Sequence, residues 1–466
     1  MTRAAVPNGP KSLPWIGSLR SMLGDPLSWL RDLAGNYGDI AYTWIGPTQA
    51  YMLNSPDLID EVLIGRYREC IKDQGTRELI PLVGMGLLTS EGETWKRQRK
   101  LASPALSPRR IANYAQTMVV CAERTFAVFR ENEVRDVKHD LLRLTLEIVG
   151  KTLLGFDAGR DAERVERIVD VSMDYFHKQL WTIEGILPRW VPTPKRVAFH
   201  EAIADLDTLV AQIIARGRAQ GEQADHLLAR LANARDEDGG SMSDEQLRDE
   251  AVTLLLAGHE TTALTLTYAV YLLSENPDKR ARLCDELARE LGGRPVSYAD
   301  LPRLKYLDAV TRETLRLYPP AYLIGREIAE PFALGGYDLP KGAVALMSPY
   351  TIQRDARFYV EPHAFRPERW LEPRATPLPR FAYFPFGGGP RVCIGNHFAQ
   401  MEIALVLATL MEQVELTVVP GYELELTPVV TLRPARGLPV LVRRRRERPA
   451  LRRSPFSSAP GQAIEA

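Results

Sequence analysis

The chain has 466 residues, 45% hydrophobic and 25% charged, a balance that suits a folded globular protein with a sizeable core. Its 59 basic and 59 acidic residues cancel, so no global field points to nucleic acid or an anionic membrane. Cys70, Cys121, Cys284 and Cys393 lie far apart with no CxxC pair, which excludes a disulfide scaffold and suits a reducing compartment. The longest apolar runs, Ala251–Gly258 and Ile403–Met411, are too short to span a bilayer, and no signal peptide is evident, so a cytoplasmic location is expected.

After a Pro/Gly-rich lead-in, Asp39–Leu53 reads as two short strands around Gly46-Pro47. From Asp57 to Leu291 helical spacing dominates. It is broken by Trp181–Pro194, an apolar stretch with three prolines, and by the polar connector Arg235–Ser243. Ser243 and Gln246 form an S-x-x-Q capping box, and the helix they open runs to about Glu275, where Asn276-Pro277 stops it. It is apolar enough in its middle to be buried on most sides. Further helices are predicted over Pro277–Leu291 and Pro302–Leu317, short strands over Ile328–Met347, and a helix from Cys393 to about Gln413. Closing strands end near Val442, and residues 443–466 read as a basic, disordered tail. No linker divides residues 1–442, which are predicted to form one mainly α-helical domain with a small β-rich region.

Phe384–Gly395 reads FPFGGGPRVCIG. Three glycines let the backbone take positive φ and approach a flat ligand closely. Cys393 falls at the start of the following helix, where the dipole and unpaired N–H groups favour a thiolate. Such a sulfur beside Phe384 and Phe386 has the character of a soft, electron-donating iron ligand. Arg391 can offer its guanidinium fork to a carboxylate of the same ligand. On these residues alone three other readings stand. The glycines cradle phosphate, Cys393 and His397 begin a zinc site, or Cys393 is an inert core cysteine.

The segment resembles the cysteine signature of the cytochrome P-450 superfamily, F-x-x-G-x-R-x-C-x-G, met by Phe386, Gly389, Arg391, Cys393 and Gly395. The resemblance extends over about Pro7 to Val442, and the chain looks like a soluble, bacterial-type member. It implies a haem-thiolate monooxygenase with haem b held by Cys393 as axial iron ligand, and with Phe386, Gly387, Arg391 and Gly395 around it.

Four more segments carry the resemblance. AGHETT, Ala257 to Thr262, matches the family's oxygen-side motif. Ala257 and Thr261 share a helix face, and the Thr261 hydroxyl can bond the Ala257 carbonyl. Gly258 leaves room for a small ligand beside the backbone. By the resemblance Thr261 hydrogen-bonds dioxygen, Glu260 feeds the proton relay, and His259 is a structural neighbour. Glu313 and Arg316 of ETLR, joined by Arg369 of FRPERW, resemble the buried charge triad that fixes the cysteine loop. Trp95 and Arg99, with Arg326, resemble the clamps on the haem propionates. Gln353 stands where many relatives have His, and Gln353 or Arg354 is expected to take that role.

No flavin or iron–sulfur segment is fused to the chain, so NAD(P)H-derived electrons are expected from a ferredoxin or flavodoxin with its reductase. Lys96, Arg97, Arg99, Lys100, Arg109 and Arg110 form a basic cluster suited either to docking that donor or to plain solvation. The expected pocket draws on Leu82, Val83, Leu87, Trp181, Ile183, Ile186, Leu187, Ala321, Tyr322, Leu323, Val429 and Val430. It is apolar and implies a lipophilic substrate: a fatty acid, terpenoid or macrocycle. A monomer is expected. Two rivals remain open, a peroxide-driven peroxygenase and a non-catalytic haem sensor.

Overall fold

A computed structural model describes residues 6–11, 16–156, 161–181, 188, 190–220, 226–235 and 239–445. The central element is the helix Asp244–Glu275, 32 residues long. The Ser243–Gln246 capping box is formed in both directions, and Asn276 ends the helix, as its sequence predicts. Its two faces lie against Val137–Val149 and Asn396–Gln413, and Lys305–Leu317 packs alongside. These apolar faces close one large helical core that includes Leu144, Leu255, Leu266, Val310 and Leu405. Thr145 fixes the register of the first contact by donating to the His259 carbonyl at 2.9 Å.

The β-rich region lies partly outside this core, with apolar clusters of its own. Its main sheet has the strand order Ile40–Ile45, Thr48–Leu53, Val344–Met347, Ile324–Ile328, Cys70–Lys72. Only the pairing of Thr48–Leu53 with Val344–Met347 is parallel. Gly46, at φ +56°, makes the first hairpin. A three-stranded sheet joins Val134–Asp136, Pro439–Arg444 and Val414–Val418.

The fold is the predicted one, mainly helical with small sheets, and a few boundaries move. The helix carrying Glu313 starts at Lys305 rather than Pro302. The last strand continues through Arg443 and Arg444, which the sequence placed in the tail, because both pair with Val414–Val418. The strand Cys70–Lys72 was not foreseen. Ile183, Ile186, Leu187, the Trp181 side chain and residues 446–466 lie outside the described residues.

Candidate active site

The cysteine loop is closed on itself and pressed against its surroundings. The Cys393 N–H donates to the Phe386 carbonyl at 3.0 Å. Gly387 and Gly389 hold φ of +69° and +65°, and a Cβ at Gly389 would lie 2.0 Å from the Leu63 carbonyl oxygen. The following helix starts at Asn396 with Gly395 as its cap, so Cys393 precedes the helix instead of beginning it. Burial pushes the Cys393 thiol up, against the pull of the Gly395 N–H and the Arg99 charge. Yet Cys393 counts as exposed. A side chain both deep in the protein and reachable faces an internal hollow. A bound cation is then what turns the thiol into an anion. The zinc reading fails, since His397 is exposed on the helix and no three His, Cys, Asp or Glu among the described residues are placed to hold a metal.

The long helix shows the same sign of a hollow. From Ala251 to Thr262 most residues are buried, but Ala257 is exposed and Leu256, Gly258 and Thr261 are partly so. Thr261 donates to the Ala257 carbonyl at 2.7 Å. Gly258 has a packing role as well. A Cβ there would lie 3.1 Å from Val149 Cγ2, so its missing side chain also serves close packing of the long helix on Val137–Val149.

Glu260 is turned away into an ion pair with Arg433, and Thr431 donates to its Oε1 at 2.6 Å. Burial raises this carboxyl, but the Arg433 charge and the two hydrogen bonds outweigh it and hold the group below its usual range. His259 is 2% exposed, and neither ring nitrogen has a well-formed hydrogen bond among the described residues. Burial pushes it down to about 4, so it is neutral at pH 7.

Beside the cysteine loop four cations meet. Arg391 bonds the Ser90 carbonyl at 2.8 Å, pairs with Glu91, and stacks its guanidinium 3.9 Å from the centre of the buried Trp95 ring. Arg99 lies over the same ring at 5.9 Å. Arg326 is 8% exposed, and among the described residues it donates only to the Gly325 carbonyl, at 2.8 Å. Lys72 stands directly across the strands from Arg326, a pairing of like charges that is unfavourable unless an anion is shared. Burial, with Arg326 and Arg391, pushes Lys72 down to about 7. Glu91 and Asp73 are the acids in this group, so the three arginines exceed them by one, and Lys72 adds a second positive charge when it is protonated beside an anion. A flat ligand with two carboxylates and a metal for Cys393 fits this donor set, and haem is such a ligand. Lys72 was missed because one lysine in a three-residue strand carries no signal of its own.

Glu313, Arg316 and Arg369 meet as a buried cluster. Arg316 grips both Glu313 oxygens, at 2.8 and 2.9 Å, and Arg369 Nε reaches Oε1 at 2.9 Å. The Trp370 Nε1–H and the Arg366 N–H complete the carboxylate's shell, at 2.9 and 3.0 Å. The link to the cysteine loop passes through Gln353. Its amide donates to the Leu315 and Arg316 carbonyls and its oxygen accepts from Phe384 N–H at 3.0 Å. Gln353 is thus fully engaged with protein, and Arg354 stacks 4.0 Å over the Tyr350 ring. The expectation that either takes the haem-facing role of His is corrected accordingly.

Among the expected pocket residues, Leu82, Val83, Tyr322 and Val429 are buried, while Leu87, Leu323 and Val430 are half-buried and Ala321 is exposed. Of the basic cluster, Lys96, Lys100, Arg109 and Arg110 are exposed, Arg97 donates to the Ser241 carbonyl, and Arg99 turns inward.

A model of the family described as Cytochrome P450 matches residues 7–437. The chain is 36% identical to cyclooctatin synthase of Streptomyces melanosporofaciens, over 91% of this chain and 92% of that one. It is 33% identical to pentalenene oxygenase of Streptomyces avermitilis, over 91% and 94%. It is also 32% identical to cyclooctat-9-en-7-ol 5-monooxygenase of Streptomyces melanosporofaciens, over 88% and 90%. Fold, cysteine site and likeness agree: the chain belongs to the cytochrome P450 family, and it is a haem-binding monooxygenase of that family.

Proposed function

We propose that this protein inserts one atom of O₂ into a C–H or C=C bond of a cyclic, terpenoid-like hydrocarbon. Its NAD(P)H-derived electrons come from a separate ferredoxin or flavodoxin with its reductase. The observation that carries the reading is Cys393, a reachable sulfur deep in the protein beside a cluster in which three arginines and Lys72 outnumber two acids. Bound haem supplies the oxygen activation. The chain's own work is then to bind, orient and deliver protons. Arg99, Arg326, Arg391 and Lys72 bind the two carboxylates. Thr261 rests its proton on the Ala257 carbonyl, from which its hydroxyl could donate into the hollow once haem is bound. Leu87, Leu323 and Val430 keep the pocket apolar. The names of two relatives, an oxygenase of pentalenene and a 5-monooxygenase of the alcohol cyclooctat-9-en-7-ol, support a cyclic hydrocarbon skeleton over a fatty acid or macrocycle.

The test begins with the haem-loaded ferric protein, titrated with cyclic terpenes and, in parallel, with fatty acids. Terpenes should shift the Soret band as water leaves the iron, and the product should carry label from labelled O₂ when a ferredoxin system supplies electrons. Faster turnover with hydrogen peroxide would favour a peroxygenase instead. Cys393→Ala should abolish the red-shifted band of the reduced carbon monoxide adduct, and an unchanged band would end the assignment.

A further inference from the structure

The span from Gly84 to Glu91 joins the two sides of the hollow. At one end the Met85 N–H donates to Asp249 Oδ2 at 2.7 Å, and the Leu87 N–H to Glu250 Oε2 at 3.2 Å. Both carboxyls belong to the long helix, about two turns before Ala257. At the other end Ser90 and Glu91 are held by Arg391 of the cysteine loop. Leu87 and Leu88, apolar and half-buried, lie between the anchors.

The helix end of the span is built for close approach. A Cβ at Gly86 would meet Thr253 Oγ1 at 2.4 Å and the Asp249 carbonyl oxygen at 2.8 Å. Thr253 lies one turn before Ala257 on the same helix face. Glu250 is fully buried, and its Oε1 has no hydrogen-bond partner among the described residues. Burial pushes its carboxyl up to about 8, against the pull of the Leu87 N–H and with a further push from Asp249. It is therefore a neutral acid at pH 7. A buried acid with a single hydrogen bond costs stability. Its place is explained if that bond positions the loop.

We propose that Glu250, aided by Asp249, is a positioning residue for substrate selection. It holds Gly84–Leu88 against the long helix, so that Leu87 and Leu88 form the wall next to Ala257 and Thr261. The proposal rests on the oxygenase reading above, since the wall matters only if an apolar substrate lies against it.

The experiment uses the haem-loaded full chain and two probes that ligate iron, imidazole and the bulkier phenylimidazole. A neutral amide can accept the Leu87 N–H as a neutral acid does, so Glu250→Gln should bind phenylimidazole within about twofold of wild type. Glu250→Leu removes the acceptor, and Gly86→Ala wedges the loop away without touching either carboxyl. Both should weaken phenylimidazole about tenfold while leaving imidazole affinity and the reduced carbon monoxide band unchanged. Wild-type affinity for phenylimidazole in either weakened variant overturns the proposal, as does a Glu250→Gln variant no better than Glu250→Leu. If Glu250→Leu takes up no haem, Gly86→Ala decides alone. Loss of the thiolate band in the unaltered protein would instead sink the oxygenase reading, so the two failures are distinguishable.

Discussion

Thr261 and Glu260 are adjacent in sequence, yet the fold gives them different surroundings. The Thr261 hydroxyl faces the partly exposed face of the long helix, resting on the Ala257 carbonyl. Glu260 is ionised and held by Arg433 and Thr431. Thr261→Ala removes a proton donor without disturbing that ion pair or the bonds of the cation cluster. The expected result is unchanged ligand binding with electrons diverted into hydrogen peroxide, and product formation reduced about a hundredfold, in the range usual for losing a proton-transfer group. Product and peroxide measured against NAD(P)H consumed check this, and unaltered coupling would remove Thr261 from the relay. The Thr261 and Ala257 contact was legible in the sequence because both lie on one face of a helix with clear boundaries. The Arg433 contact was not, since the pair is 173 residues apart and nothing in TLRPA marks it.

Elements are held in place by polar groups buried among specific partners. The Glu313 carboxylate accepts five hydrogen bonds and lies with Arg316 at 0% exposure. Neutralising it leaves two buried guanidiniums without their anion, which costs about 3–5 kcal/mol. Glu313→Gln should give little soluble, haem-loaded protein, because the tie through Gln353 to Phe384 loosens with it. Normal yield and an unchanged unfolding midpoint would show the cluster to be dispensable.

The long helix carries a second such group. His259 has a folded pKa near 4, below its ordinary value near 6.5, so the unfolded chain takes up the proton first as pH falls. Its stabilising neutral form is complete above pH 6.5 and is lost as pH drops toward 4, an effect on the order of 3 kcal/mol. His259→Leu should therefore flatten the stability curve between about pH 6.5 and 4 relative to wild type. Denaturant melts across that window read the difference, and parallel curves would exclude His259 as the cause.

At the scale of the whole molecule, the parts legible in the sequence were those with local grammar. The capping box, the Asn276-Pro277 stop, the glycine-rich loop and the i, i+3 pair of Glu313 and Arg316 each state their role within a few residues. The parts that were not legible come from elements meeting across the fold: Lys72 opposite Arg326, Gly258 against Val149, and the Glu91 grip on Arg391. That same sorting divides the basic cluster near the cysteine loop. Arg99 faces inward toward Cys393 and Arg97 is tied to Ser241, while Lys100, Arg109 and Arg110 project into solvent with Lys96. Since the chain's net charge is zero, a local field of this kind would have to steer an acidic electron donor. Changing Lys100, Arg109 and Arg110 together to Glu should slow the second-order reduction by a ferredoxin about tenfold or more at low salt. The difference should shrink as ionic strength rises past about 0.15 M, where exposed charges are screened beyond roughly 8 Å. Stopped-flow reduction under carbon monoxide, at several salt concentrations, measures it. Equal rates at low salt would place the donor's docking face elsewhere, while the carbon monoxide spectrum, set by Cys393, should not change in either case.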